Sequence, residues 1–141
     1  MPTWFRLVSI LLFGLMFNTS SGQIAFSDLN VPQATNEARD SNKLVFVDVM
    51  ADWCAPCKQM EQTTFQDSSL SNLVNTHFVA VRLNIDHDSL GIRSHYNVSE
   101  YPTILIINPK NQEVLLRIVG YKPASILMGD LRFALRLVKQ D

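Results

Sequence analysis

The sequence predicts one α/β domain, in which a mixed central sheet is covered by helices on both faces. The chain has 141 residues, an ordinary length for a single domain. Hydrophobic residues make up 47% and charged residues 18%, as expected for a chain that buries a core. Strand-like and helix-like segments alternate along its first half, which favours parallel β-α-β units. A later pair of strands around a tight turn adds antiparallel pairing.

Each strand prediction rests on a short apolar run rich in β-branched residues and bounded by polar ones. The predicted strands are 43–50, 78–85, 103–107 and 113–119. Each helix prediction rests on apolar residues at helical spacing, with a proline or an aspartate as a start signal. The predicted helices are 28–41, one from about Pro56 that turns Met60 and Phe65 inward, 67–74, 89–96 and one from Pro123. Residues 108–111 have the composition of the hairpin turn between the last two strands.

The N-terminal segment has the three parts of a secretory signal peptide. Arg6 is followed by an almost wholly apolar run, 7–17, and then by small and polar residues up to Gly22. The apolar run is about half of the ~20 residues that span a bilayer, which favours cleavage over retention as an anchor. We therefore expect a signal peptide at 1–22 and a mature domain at 23–141 in the periplasm or outside the cell.

The charge balance argues against a nucleic-acid-binding function. The formal net charge is −1, with 12 Lys and Arg residues against 13 Asp and Glu residues. A balance of this kind supplies no basic field to attract a phosphate backbone. We expect a monomer whose partners are proteins.

The two cysteines form a Cys-X-X-Cys motif and are the main candidates for chemistry. A disulfide between Cys54 and Cys57 closes so short a loop that it removes little entropy from the unfolded chain. The strand that ends near Met50 leads into the motif, so Cys54 is expected at a helix N-terminus, where a thiol pKa is lowered. Cys54 is thus the predicted nucleophile. Cys57, one turn further along and expected to be more buried, is the predicted resolving cysteine. Structural bridges and half zinc sites share the motif, but beside a β-α-β pattern it indicates redox chemistry.

Several further segments carry a resemblance to a known family. They are Val47-Asp48, Ala51-Asp52-Trp53-Cys54-Ala55-Pro56-Cys57-Lys58, Arg82-Leu83-Asn84-Ile85-Asp86, Tyr101-Pro102-Thr103 and Val119-Gly120. Together they resemble the thioredoxin superfamily over nearly all of the mature chain. The run 51–65 is similar, more narrowly, to the C-terminal domain of the periplasmic reductase family DsbD. The resemblance implies a thioredoxin fold and a reversible Cys54–Cys57 disulfide, with no other cofactor. Ala55-Pro56 stands where Gly-Pro is usual, so the redox potential stays open.

The resemblance implies roles for three residues outside the cysteine pair. Pro102 matches the proline that follows a cis peptide bond and faces the cysteines, where it would expose the backbone of Tyr101 to an extended substrate. An ordinary proline at a strand start is the alternative. Asp48 matches the buried carboxylate that moves a proton to or from the second cysteine, since burial raises a carboxyl pKa. Exposure at a strand edge is the alternative for Asp48.

Four residues are expected to tune the site or contact substrate. Arg82 takes a position usually held by a lysine; it either holds the pKa of Asp48 lower or is a solvated charge. Trp53 is expected to cover one side of the cysteines and to give substrates a flat apolar contact. Gly120 is expected to let the backbone approach the site closely. Lys58 is expected to add a mild positive charge in the first turn of the helix.

The sequence favours a dithiol reductase of exported proteins, re-reduced by a membrane electron carrier of the DsbD type. A disulfide oxidant or isomerase stays open, because potentials in this class span about −270 to −120 mV. A Cu(I) or zinc carrier using the same cysteine pair is the alternative from another class. No histidine stands at ligand spacing from the pair, and Asp48 and Pro102 would have no role in a carrier. We therefore expect no metal site.

Overall fold

A computed structural model describes residues 22–139, so the predicted signal peptide lies outside the described residues apart from Gly22. The strands are β1 (Phe26–Ser27), β2 (Leu44–Met50), β3 (Phe78–Asn84), β4 (Thr103–Ile107) and β5 (Val114–Val119). The α-helices are α1 (Val31–Asp40), α2 (Ala55–Gln62), α3 (Ser68–His77), α4 (Ile92–His95) and α5 (Ala124–Leu137). None of these helices has the length and apolarity needed to cross a bilayer.

The strands form one mixed sheet in the order β1-β3-β2-β4-β5. Strands β1 and β2 each pair with β3 in parallel, whereas β4 pairs antiparallel with β2 and β5 antiparallel with β4. The parallel part follows from the alternation of strands and helices, and the antiparallel β4–β5 pair follows from the hairpin. The predicted mixed sheet is therefore confirmed.

Helices cover both faces of this sheet, as predicted. Side chains along β2 alternate between the two faces: Phe46 packs with α2, α3 and α5, whereas Val45 and Val47 pack with α1 and α4. On the first face, four phenylalanine rings meet edge-on or tilted, with centroids between 5.6 and 6.3 Å apart: Phe26, Phe46, Phe65 and Phe78. Position 48, two residues after Phe46, lies on this same face.

Two helices begin later than the sequence predicts. Helix α1 begins at Val31 because Asn30 forms a capping box with Gln33, in which each side chain accepts from the other residue's backbone N–H. Helix α4 begins at Ile92, since the preceding Gly91 has a left-handed φ of 66°. The late start of α4 leaves residues 89–91 in the loop that follows Asp88.

Two other predictions differ from the structure. Phe65 is buried as predicted, but it lies on a separate 3₁₀ turn, Thr64–Gln66, because α2 ends at Gln62. Strand β1 was not predicted, because two residues carry no periodic pattern. The cap Asp67 of α3 is confirmed: its carboxylate accepts the Leu70 N–H at 2.8 Å.

Candidate active site

The turn between β2 and α2 places Cys54 at the N-terminus of the helix, which confirms the predicted position. Cys54 is the N-cap residue, with extended backbone angles (φ −82°, ψ 102°). Its backbone N–H donates to the Ala51 carbonyl at 3.1 Å, and its carbonyl accepts the first helical bond from Lys58 at 3.2 Å. Pro56 lies in the first turn, where a missing N–H costs nothing.

Cys54 and Cys57 form a disulfide, with their Cα atoms 5.3 Å apart. The Cys57 backbone N–H donates to the Cys54 sulfur at 3.3 Å, so the sulfur occupies the usual place of a capping oxygen. This N–H and the positive end of the helix dipole favour a thiolate at Cys54 once the bond is reduced. The geometry thus supports Cys54 as the nucleophile.

Both cysteines are buried. Their exposed fractions are 3% for Cys54 and 6% for Cys57, so the prediction that Cys57 is the more buried is wrong for the disulfide form. Both cysteines belong to one small apolar cluster with Ala51, so they are buried to a similar extent. Three partly buried side chains pack against this cluster: Met50, Ile85 and Tyr101. A partner thiolate can therefore reach the disulfide only over a narrow surface.

A charged network lies on the α2 face of the sheet. Asp48 is only 4% exposed and pairs in register with Arg82 of β3. Arg82 donates from Nε to Asp48 Oδ2 at 3.2 Å and from Nη1 to Glu61 Oε1 of α2 at 2.9 Å. Its guanidinium carbon also lies 4.2 Å from the ring centre of Phe26. The network links the buried carboxylate to the helix that carries Cys57.

Burial raises the pKa of Asp48 from its ordinary 3.8 to about 6. The charge and hydrogen bond of Arg82 oppose this shift, and the nearby charge of Glu61 adds to it. The expected contact of Arg82 with Asp48 is therefore present, but its effect on the pKa is smaller than that of burial. A carboxyl that ionises near pH 6 can both accept and release a proton close to neutrality.

Replacing Arg82 with glutamine is expected to raise the pKa of Asp48 above about 6, because the opposing positive charge is removed. The matched variant Glu61→Gln is expected to lower it, since a neighbouring negative charge is lost. A carbon-13 NMR titration of the Asp48 carboxyl in the oxidised protein measures both. Shifts in the same direction for the two variants would contradict this account of the network.

The loops before β4 and after β5 meet beside the cysteine cluster. The Tyr101–Pro102 peptide bond is cis, and the Gly120 N–H donates to the Pro102 carbonyl at 2.8 Å. Gly120 has a φ of +80°, yet no atom lies within 4 Å of the Cβ that another residue would add. The prediction that Gly120 allows a close approach of the backbone to the site is therefore wrong within this molecule. Glycine is favoured at this position by its left-handed φ instead.

Trp53 contacts Tyr101 and remains largely in solvent. Their rings meet edge-on with centroids 5.8 Å apart, and Trp53 is 66% exposed. This leaves a flat aromatic surface at the mouth of the site, as expected for a substrate contact. Lys58 is also exposed, on the first turn of α2.

Two contacts of Arg82, with Glu61 and with Phe26, were not predicted from the sequence. Glu61 follows Cys57 by four residues, a spacing that places both on one side of α2, so its position was available from the sequence. Phe26 gave no signal, because β1 is so short. Within residues 22–139, no group of three or more His, Cys, Asp or Glu side chains is arranged to hold a metal ion.

Comparisons with known proteins identify the family. Residues 31–134 match the family model of the thioredoxin-like domain. The thiol:disulfide interchange protein DsbD of Escherichia coli strain K12 is 34% identical over 105 residues, which are 71% of this chain and 18% of DsbD. The DsbD of Tatumella citrea is 33% identical over 94 residues, 64% of this chain and 16% of that protein. The chain thus spans less than a fifth of these relatives.

Solved structures agree on the fold. A candidate disulphide-isomerase from Bacteroides thetaiotaomicron is 35% identical, with a TM-score of 0.70 over 80% of this chain and 93% of that one. A thioredoxin from Thermus thermophilus has a TM-score of 0.71 at 23% identity, over 80% and 88% of the two chains, and supports the fold alone. The predicted thioredoxin fold is confirmed. The chain belongs to the thioredoxin-like family, and its Cys54 and Cys57 form a disulfide at the start of α2.

Proposed function

We propose that this protein is a dithiol reductase of disulfides in exported proteins. The observation that carries the proposal is the place of Cys54: its sulfur caps α2 and accepts the Cys57 N–H. A sulfur held in this way is stabilised as a thiolate after reduction, and the thiolate is the attacking species in disulfide exchange.

The reaction has two steps. The Cys54 thiolate attacks one sulfur of the substrate disulfide, forms a mixed disulfide and expels the other substrate sulfur as a thiolate, which takes up a proton. Cys57 then loses its proton to Asp48, attacks the Cys54 sulfur and releases the second substrate sulfur as a thiolate, which takes up a proton. Two electrons pass to the substrate, and the protein ends with its Cys54–Cys57 disulfide.

Completing the cycle requires a dithiol donor that reduces this disulfide again. We propose a membrane electron donor of the DsbD type, and a monomeric protein that acts in the periplasm or outside the cell after a signal peptide at 1–22 is removed. The similarity to DsbD supports this placement. The exposed surface of Trp53, together with the Tyr101–Pro102 loop and Gly120, is proposed to receive the substrate segment.

The equilibrium reduction potential tests the direction of electron flow. The oxidised protein is equilibrated with dithiothreitol and glutathione buffers, and the thiol content is measured by alkylation and mass spectrometry. A potential near or below about −270 mV is expected, because it would make the dithiol form a reductant. A value near −120 mV would overturn the proposed direction and make the protein a disulfide donor.

Isomerase activity is the second candidate, because the candidate disulphide-isomerase from Bacteroides thetaiotaomicron is 35% identical to this chain. An isomerase returns scrambled disulfides to their native pairing without net reduction. Recovery of activity from scrambled ribonuclease, at a potential between the two extremes, would favour this candidate. Net release of substrate thiols without such recovery would favour the reductase.

A further inference from the structure

We propose that Arg93 selects substrates that carry an acidic side chain close to the reactive cysteine. This proposal rests on the proposed function and adds a substrate class to it. The residue lies on the short helix α4, outside the segments that carry the redox chemistry. Its guanidinium lies beside the Tyr101 hydroxyl, at one edge of the surface proposed to receive the substrate.

The position of Arg93 follows from its contact with Tyr101. Arg93 Nη1 donates to the Tyr101 hydroxyl at 3.4 Å. The ring of Tyr101 packs against the cluster of both cysteines and meets Trp53 edge-on. One residue, Tyr101, therefore links the guanidinium to the disulfide, and a peptide segment lying over Tyr101 passes within reach of a fixed positive charge.

The Arg93 guanidinium can donate hydrogen bonds to a carboxylate of another molecule. The nearest acid in the α4 loop, Asp88, uses both oxygens on backbone N–H groups, of Ile92 at 2.9 Å and of Arg93 itself at 2.7 Å. Within residues 22–139, no carboxylate oxygen lies within 4 Å of a side-chain nitrogen of Arg93. Glu100, which precedes Tyr101, is exposed and forms no ion pair with Arg93. An arginine offers five N–H donors in a planar fork suited to a carboxylate.

Two further carboxylates, besides Asp88 and Glu100, lie near the end of β3. Asp52 accepts a hydrogen bond from the Asn84 side chain at 2.9 Å, and its own N–H donates to Asp86 at 3.2 Å. Asp52 directly precedes Trp53 in the chain, whereas Arg93 contacts Tyr101. An acidic side chain of a bound peptide is therefore expected to be repelled near Asp52 and attracted by the Arg93 guanidinium beside Tyr101.

The test uses two peptide disulfides that are identical except for Glu or Gln next to the cysteine. The reduced wild-type protein is expected to reduce the Glu peptide about fivefold faster at low salt, which is the scale of one exposed ion pair. Arg93→Gln is expected to bring the ratio of the two peptide rates to about one and to leave the reduction potential unchanged. Added salt is expected to weaken the wild-type preference.

The control variant is Arg132→Gln, which removes an exposed arginine of α5 that forms no hydrogen bond or ion pair with another described side chain. This variant is expected to keep the fivefold preference. Equal wild-type rates for the two peptides, or equal losses of preference in both variants, would overturn the proposal for Arg93. A reduced protein that reduces neither peptide would instead overturn the proposed reductase function, so the two failures are distinguishable.

Discussion

We expect the Cys54→Ser variant to lose disulfide reduction by about 1,000-fold or more. A serine hydroxyl cannot form the mixed disulfide through which both electrons pass, so no alternative route remains within the site. The loss is measured as the release of substrate thiols by the reduced variant, with the wild-type protein alongside. Retention of a tenth or more of the wild-type rate would contradict the assignment of Cys54 as the nucleophile.

Cys57→Ser is the matched control, because it also removes the disulfide while it leaves the proposed nucleophile in place. This variant is expected to complete the first step and then to stop as a mixed disulfide with the substrate, since no second thiolate can resolve it. Mass spectrometry under non-reducing conditions detects the adduct. An adduct formed by Cys54→Ser and not by Cys57→Ser would reverse the two roles.

The position of the cysteine pair could be predicted from sequence because local signals agree there. A β-branched strand ends, two cysteines follow at a spacing of three, and Pro56 is suited to a first helical turn. Each signal acts within a few residues, so none depends on how distant segments pack. The structure accordingly has Cys54 as the N-cap of α2.

The partners of the buried carboxylate depend on tertiary structure and were only partly predictable. Arg82 reaches Asp48 because β2 and β3 pair in a register that aligns them, and a shift of one residue would turn Arg82 to the other face. Glu61 joins through the packing of α2 on the sheet. The contact of Arg93 with Tyr101 depends on how α4 packs beside the loop before β4. The sequence pattern placed the start of α4 three residues before its position in the structure.

Asp48→Asn is expected to stabilise the oxidised protein by about 3 kcal/mol at pH 7 to 8. The pKa of Asp48 rises from 3.8 to about 6 on folding, and each pKa unit corresponds to about 1.36 kcal/mol. The folded protein thus holds the proton more tightly than the unfolded chain, so wild-type stability falls as the pH rises from about 4 to 6 and is constant above that range. Asparagine resembles the protonated carboxyl and removes this loss.

Urea unfolding of the oxidised proteins at several pH values measures the effect. The difference between Asp48→Asn and wild type is expected to shrink as the pH falls to 4 and to disappear at about pH 3, where the wild-type carboxyl is protonated in both states. Asp28→Asn removes an exposed carboxylate and is the control, with an expected change within about 0.5 kcal/mol. A destabilised Asp48→Asn at pH 8 would show that the ion pair with Arg82 outweighs the cost of burying the charge.

The same substitution is expected to slow the reaction while it stabilises the fold. Resolution of the mixed disulfide requires a base for the Cys57 proton, and general-base catalysis typically contributes about 100-fold or more. In the wild-type protein, the resolution rate should rise with pH around a midpoint near 6, where Asp48 ionises. Asp48→Asn should lack this midpoint and be about 100-fold slower at pH 7, as measured by stopped-flow mixing. Greater stability together with a wild-type rate profile would separate the two effects and assign the carboxylate no part in proton transfer.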